Sequence, residues 1–170
     1  MNSLTAQKFV TKTGKIKFYS DAQVERIEAI NNQVSAALNS SSGDIVFKLL
    51  IKSFEFDKAL MQEHFNENYM ESDKYPNSEF KGKITNIKDI DFSKDANYNV
   101  LVEGDLTIHG VTNKVNVKGN FDIKDNKIIA KSEFFINLKD YNIKIPNAVI
   151  KNLSETIKIN VDIILNKLVK

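Results

Sequence analysis

The 170-residue chain contains no cysteine, which removes disulfides, thiol catalysis, iron–sulfur clusters and thiolate zinc sites together. Arginine is reduced to Arg26 alone, so almost all of the 24 basic residues are lysines, and 22 acidic residues bring the net charge to +2. A phosphate-gripping surface needs a concentrated basic stripe, and forked contacts to phosphates or bases use arginine. Nucleic acid is therefore not an expected partner. No apolar run approaches the ~18 residues of a membrane span, so no transmembrane segment is expected. Nothing before Phe9 offers the apolar stretch of a complete signal peptide, yet Leu4-Thr5-Ala6 followed by Gln7-Lys8 reads as the clipped end of one as readily as an ordinary start. With two prolines, six glycines and no low-complexity stretch, no linker or solenoid repeat stands out. The expectation is a disordered start or signal remnant over 1–8 and one domain over 9–170, a size that buries roughly 70% of the unfolded surface.

What is present is period-two alternation, which sends successive side chains to opposite faces of a strand. From Tyr98 to Ile108, Tyr98, Val100, Val102, Leu106 and Ile108 share one face with Gly104, against Asn99, Glu103, Asp105 and Thr107. After an expected turn at His109 to Asn113, Val115, Val117, Phe121 and Ile123 alternate with lysines and asparagines, so the two runs predict a hairpin. Lys124 to Lys127 is a second turn by composition. Ala130, Ser132, Phe134, Ile136 and Leu138 then line a third inward face, and Ile157, Ile159, Val161 and Ile163 a last one. Upstream, a first strand spans about Phe9 to Ser20, with Ile16 and Phe18 on its apolar side. Ile45, Phe47, Leu49 and Ile51 form another, whose phase jumps to Phe54 and Phe56 through a bulge or strand end near Ser53. Phe80, Gly82 and Ile84 mark a short one.

Two segments do not read as strands. Met61 and Phe65 stand four apart between Asp57 and Asn68, predicting one short helix with Asp57 as N-cap, followed by an irregular loop to Pro76. Between Asp21 and Leu38, the spacing of Val24, Ile27, Val34 and Leu38 favours a helix, although Gln33 to Leu38 alone reads as a buried strand. Seven or eight antiparallel strands in one domain must close or stack to protect their edges, and their long continuous apolar faces favour a barrel. An eight-stranded barrel is either plugged by side chains or holds one slender ligand. Small residues at inward positions, namely Gly82, Gly104, Gly119, Ala130 and Ser132, lean towards a cavity.

The run Gly104-Asp105-Leu106-Thr107-Ile108-His109-Gly110-Val111-Thr112 resembles the Gly-x-Leu-Thr-x-x-Gly-Val-Thr hairpin of the YceI-like family, matching at Gly104, Leu106, Thr107, Gly110, Val111 and Thr112. Phe65 to Met70, then Tyr75-Pro76 and Phe80, are similar to that family's helix and its Tyr-Pro-x-x-x-Phe approach to the next strand. The resemblance spans about Gly14 to Val161. It implies an all-β fold, an extended eight-stranded antiparallel lipocalin-like barrel with one short helix, and an isoprenoid or similar long-chain lipid as partner. It also implies that Gln33 to Leu38 is strand. Two departures concern ligand detail: Leu138-Lys139-Asp140-Tyr141-Asn142 replaces an arginine and an Asp-Phe-Gly-like stretch, and Phe9 to Ser20 lacks the histidine many members carry.

Within that barrel the expected ligand-facing residues fall into three groups. Phe54, Phe56, Met61, Phe65 and Phe80 form an aromatic wall near the helix, whose plainer reading is ordinary core. Tyr98, Val100, Val102, Gly104, Leu106 and Ile108 supply one inward face, and Phe121 and Phe134 come from the neighbouring strands. The two histidines read as structural: His109 precedes the Gly110 turn and would hydrogen-bond to hold it, and His64 lies on the helix beside Phe65. No serine sits in a nucleophile elbow, and Glu67, Glu71, Asp73, Asp105 and Asp140 are scattered over polar phases. The expectation is a non-enzymatic lipid binder without cofactor or metal, periplasmic if the signal remnant is real and cytoplasmic otherwise, with a homodimer left open. The alternative is a structural barrel filled by its own side chains.

Overall fold

The computed structural model describes residues 7–21, 26–144 and 155–169; the clipped-signal reading of Leu4 to Ala6 and the helical spacing of Val24 lie outside them. Among the described residues nine antiparallel strands form one sheet: β1 (Lys8–Asp21), β2 (Arg26–Asn39), β3 (Asp44–Leu50), β4 (Glu55–Phe56), β5 (Asn77–Ile84), β6 (Ala96–Ile108), β7 (Val111–Lys124), β8 (Lys127–Asn137) and β9 (Thr156–Lys167). Their order is β1-β9-β8-β7-β6-β5-β3-β2, and β1 also pairs with β2, so these eight close into a barrel with no free edge. The two-residue β4 is an outlier paired to β2 at Ala29↔Phe56 and Ile30↔Glu55. The α-helix α1 (Ala59–His64) continues into a wider π-helical turn over Phe65–Tyr69. Among the described residues no helix is long and apolar enough to cross a membrane.

The hairpins are set by their turn residues. His109 and Gly110 both adopt positive φ, 55° and 73°, as a two-residue type I′ turn requires, because its twist matches that of the flanking strands. Ile108↔Val111 therefore close the hairpin directly, and the turn is two residues rather than the expected stretch to Asn113. Thr107 and Thr112, one pair further in, share a 2.7 Å hydroxyl hydrogen bond. Asp125 and Asn126 repeat the device with φ of 51° and 63°.

Segment 26–39 is strand, as the resemblance implied for Gln33 to Leu38 and against the helical spacing. Ile27, Ala29 and Asn31 are buried in alternation, then the phase slips and Val34, Ala36 and Leu38 take over. Opposite the slip, the β1–β2 register shifts between Thr11 and Ile16. A bulge inside a period-two pattern makes one odd step, and that odd step turned Ile27, Val34 and Leu38 into an apparent helical spacing. Asn31, fully buried, compensates for the broken ladder: its Nδ2 donates to the Leu50 carbonyl at 3.0 Å and its Oδ1 accepts from Gln33 N at 2.9 Å. The phase jump from Ile51 to Phe54 is a strand end that comes one residue early, since β3 stops at Leu50 and a 3-10 turn spans Ile51–Ser53. Nor is Asp57 the N-cap of α1; Lys58 occupies that position without a side-chain cap bond. What anchors the helix start is Gln62, whose Oε1 accepts from Phe56 N at 3.3 Å.

The interior is asymmetric. At one end Phe9, Leu38, Ile84, Ile128 and Leu165, each at most 1% exposed, form a solid plug. Phe9 also meets Phe92 with ring centroids 5.7 Å apart. At the other end α1, the π turn and the Leu138–Tyr141 turn lie across the barrel opening, and Phe65, Tyr69, Tyr141 and Ile143 are buried beneath them.

Candidate functional site

Between the plug and the helical cap the bore is hollow, as two adjoining chambers. The outer one, beside the helix, has a volume of about 160 Å³, and the inner one, towards the plug, about 120 Å³. Their walls are carbon almost throughout. Inward positions of antiparallel strands supply them, which is why the alternation points to them.

Phe54, Phe56, Met61, Phe65 and Ile108 line the outer chamber. Phe80, Val100, Val102 and Phe121 line the inner one, and Leu106 and Phe134 face both. Tyr98 and Gly104 line neither, which corrects their placement in the bore. Tyr98 packs against the plug, and its hydroxyl accepts from Asp91 N at 3.2 Å. Gly104 is opposite Gly82 in the β5–β6 ladder, and the Phe80 ring lies over both. A Cβ on Gly104 would sit 2.5 Å from Gly82 Cα and 2.7 Å from Phe80 Cζ; one on Gly82 would sit 2.5 Å from the same ring. These two glycines are small because an aromatic ring covers them, and they open no space for a ligand. Gly119, Ala130 and Ser132 do line the inner chamber, with Gly119↔Ser132 a direct cross-strand pair. Small inward residues thus divide into two kinds that composition cannot separate.

The aromatic wall also has a different fourth member. Phe18, Phe54, Phe56 and Phe65 form one cluster, with Phe18 stacked on Phe65 at 5.3 Å and Phe56 5.0 Å from Phe65. Phe80 belongs elsewhere, 6.2 Å from Phe47. Phe18, Ile16 and Leu49 line the hollow and carried the same inward signal in the sequence, although the expected ligand-facing groups did not include them. Tyr69, Met70 and Ile143 line it from irregular segments where no periodicity could mark them. Burial pushes the Tyr69 hydroxyl above its ordinary 10.0, so it stays neutral beside the aromatic cluster.

His109 does more than brace its own turn. Its side chain is only 9% exposed, and both ring nitrogens are engaged by other segments. Nδ1 donates to the Tyr141 carbonyl at 3.0 Å, and Nε2 meets Glu71 Oε2 at 2.6 Å. A carbonyl only accepts, so Nδ1 carries hydrogen, and Nε2 lies within hydrogen-bonding distance of the Glu71 carboxylate. Tyr75 packs edge-on against the imidazole, 4.8 Å between centroids. Each tethered segment also walls the outer chamber: Ile108 precedes His109, Met70 precedes Glu71, and Leu138 and Ile143 flank Tyr141. The ring is a clamp on the cap, with no free nitrogen to act as a base. His64 lines neither chamber.

A closed eight-stranded antiparallel barrel, apolar within, plugged at one end and capped by a short helix at the other, defines a protein of the lipocalin-like class. The chain belongs to the YceI-like domain family, whose sequence profile matches residues 5–165. Solved structures agree on the fold. A polyisoprenoid binding domain from Saccharophagus degradans, implicated in plant cell wall breakdown, superposes with a TM-score of 0.83 at 12% identity, covering 96% of this chain and 100% of that one. Burkholderia cenocepacia BcnA gives 0.73 at 14% identity, with 89% and 95% covered. The YceI protein of Campylobacter jejuni gives 0.67 at 17% identity, with 88% and 90% covered. No curated protein matches the chain.

Proposed function

We propose that the protein holds one apolar lipid chain of isoprenoid type in the bore, for storage, transport or sequestration, and catalyses no reaction. The observation that carries this reading is the hollow between plug and cap, whose walls present almost no polar atom. Such a space cannot satisfy a charged or hydrogen-bonding group, and desolvating one there without a partner would cost several kcal/mol. A hydrocarbon chain suits it. The binding named for the Saccharophagus degradans domain supports the same ligand class. A head group then stays at the capped end, where the buried Ser20 and Tyr69 are among the residues that line the outer chamber. Action outside the cytoplasm is part of the proposal, and cell fractionation tests it.

The competing reading is a purely structural barrel, favoured by the solid plug that fills one end. Native mass spectrometry of protein purified from its own cells separates the two. The expected result is a lipid-sized adduct lost on denaturation; protein that carries none and takes up no added prenyl alcohol is a structural barrel.

A further inference from the structure

The two chambers share five lining residues, Ile16, Leu49, Ser78, Leu106 and Phe134. These come from β1, β3, β5, β6 and β8, five of the eight strands of the ring. They therefore form a girdle across the bore and not a ridge along one wall. Leu49 and Leu106 are buried, whereas the Phe134 ring is only partly so. Beyond the girdle, the inner chamber owes its space to Gly119, Ala130 and Ser132 on β7 and β8. Ser132 and Phe134 are adjacent inward positions of one strand, so the boundary between the chambers and the space behind it are neighbours. The far end is filled by the plug of Phe9, Leu38, Ile84, Ile128 and Leu165, so a chain that enters from the capped end reaches the inner chamber by passing the girdle.

We propose that this girdle makes the bore a length selector. A short apolar chain is held in the outer chamber alone; a longer one gains the inner chamber by passing Phe134, so Phe134 and Ser132 determine which chain length is retained. The inference rests on the lipid-binding reading above and adds the residues that set its selectivity. Neither chamber offers polar groups to recognise a functional group along the chain, so the number of buried carbons is the main quantity left to discriminate ligands.

The test offers farnesol and solanesol, prenyl alcohols that differ in the number of isoprene units, at equal concentration to delipidated wild type, Ser132→Leu and Phe134→Ala. Native mass spectrometry reads the ratio of the two adducts. Ser132→Leu fills the inner chamber, so it keeps farnesol while its solanesol-to-farnesol ratio falls roughly tenfold or more, the effect of a few carbons left in water. Phe134→Ala opens the girdle and raises the ratio. An unchanged ratio in both variants, or parallel loss of both alcohols in Ser132→Leu that stays folded, overturns the selector. If Ser132→Leu does not fold, Phe134→Ala decides alone, and an unchanged ratio there overturns the proposal. Uptake of neither alcohol by the wild type defeats the lipid-binding reading itself, and the selector with it.

Discussion

Gly104 and Ser132 show what a single position can carry. Both are small, inward-facing and on strands of perfect alternation, yet one is covered by the Phe80 ring and the other borders a void. Because a Cβ on Gly104 would meet Lys81 O and Gly82 Cα at 2.5 Å, Gly104→Ala forces two strand backbones apart. Overpacking of this kind costs typically about 1–3 kcal/mol. Ser132→Ala deletes a hydroxyl that donates to Lys118 O at 2.7 Å; the acceptor lies in a partly exposed ladder, so a loss of about 1 kcal/mol or less is expected. Urea denaturation should rank the two in that order, and a Gly104→Ala midpoint equal to wild type would refute the covered-glycine account. The inward phase of these residues was legible from alternation, because a strand has only two faces. Whether an inward glycine is vacant was not, since that depends on where Phe80, two dozen residues upstream in sequence, lays its ring.

Elements were legible where one period held and obscured where it slipped. β6 to β9 follow the sequence pattern almost residue for residue, because their ladders run unbroken, as from Ala96↔Ile123 to Ile108↔Val111. β2 was obscured by its bulge at Asn31. The cap was obscured most, because Tyr69, Met70 and Ile143 reach the outer chamber from segments that carry no periodicity. What organises these turns is a tertiary contact, the His109 clamp, and its consequence belongs to the elements it joins. Removing the clamp should loosen two separate segments together. The Leu138–Tyr141 turn keeps Asn113 Nδ2 to Asp140 O at 2.7 Å and Leu138 N to Glu155 O at 2.8 Å, but Ile143 beyond it keeps only the local bond to Leu138 O at 3.1 Å, and the Glu71 loop keeps Ser72 N to Asn66 O at 2.7 Å. Hydrogen bonds to charged groups contribute about 1.5–3 kcal/mol, and the half-exposed Glu71 lies at the lower end. In His109→Gln, amide exchange at Ser72 and Ile143 should therefore quicken about tenfold, while the central β6–β7 ladder is unmoved. Acceleration in one segment alone would mean that His109 braces that segment and does not couple the two.

At the scale of the whole molecule, closure follows from chain order. β5 to β9 pair in sequence like a meander, and β1, placed between β2 and β9, seals the ring. Long alternating strands with no tolerable edge made that closure readable before any contact was known. Less readable was the division of labour along the axis, because plug and hollow are built from the same inward apolar residue types. Ile128 and Leu165 at the plug are fully buried and paired across β8–β9, whereas Met61 borders the outer chamber and stays partly exposed. Stability and binding should consequently separate by end. Ile128→Ala removes packed methylenes where nothing can collapse, a loss of about 2–5 kcal/mol; in a chain of this size each kcal/mol is worth roughly 2–4 °C of melting temperature, so a fall near 10 °C is expected. Uptake of farnesol by the folded fraction should be unaffected. Met61→Ala enlarges a space that is already empty in the ligand-free protein, so melting should shift by only a few degrees while farnesol, deprived of a wall contact, binds more weakly. Thermal melts and adduct titrations on the two variants test both halves. Should Ile128→Ala impair farnesol uptake as strongly as Met61→Ala, the barrel would be one cooperative container, with no division into a structural end and a binding end.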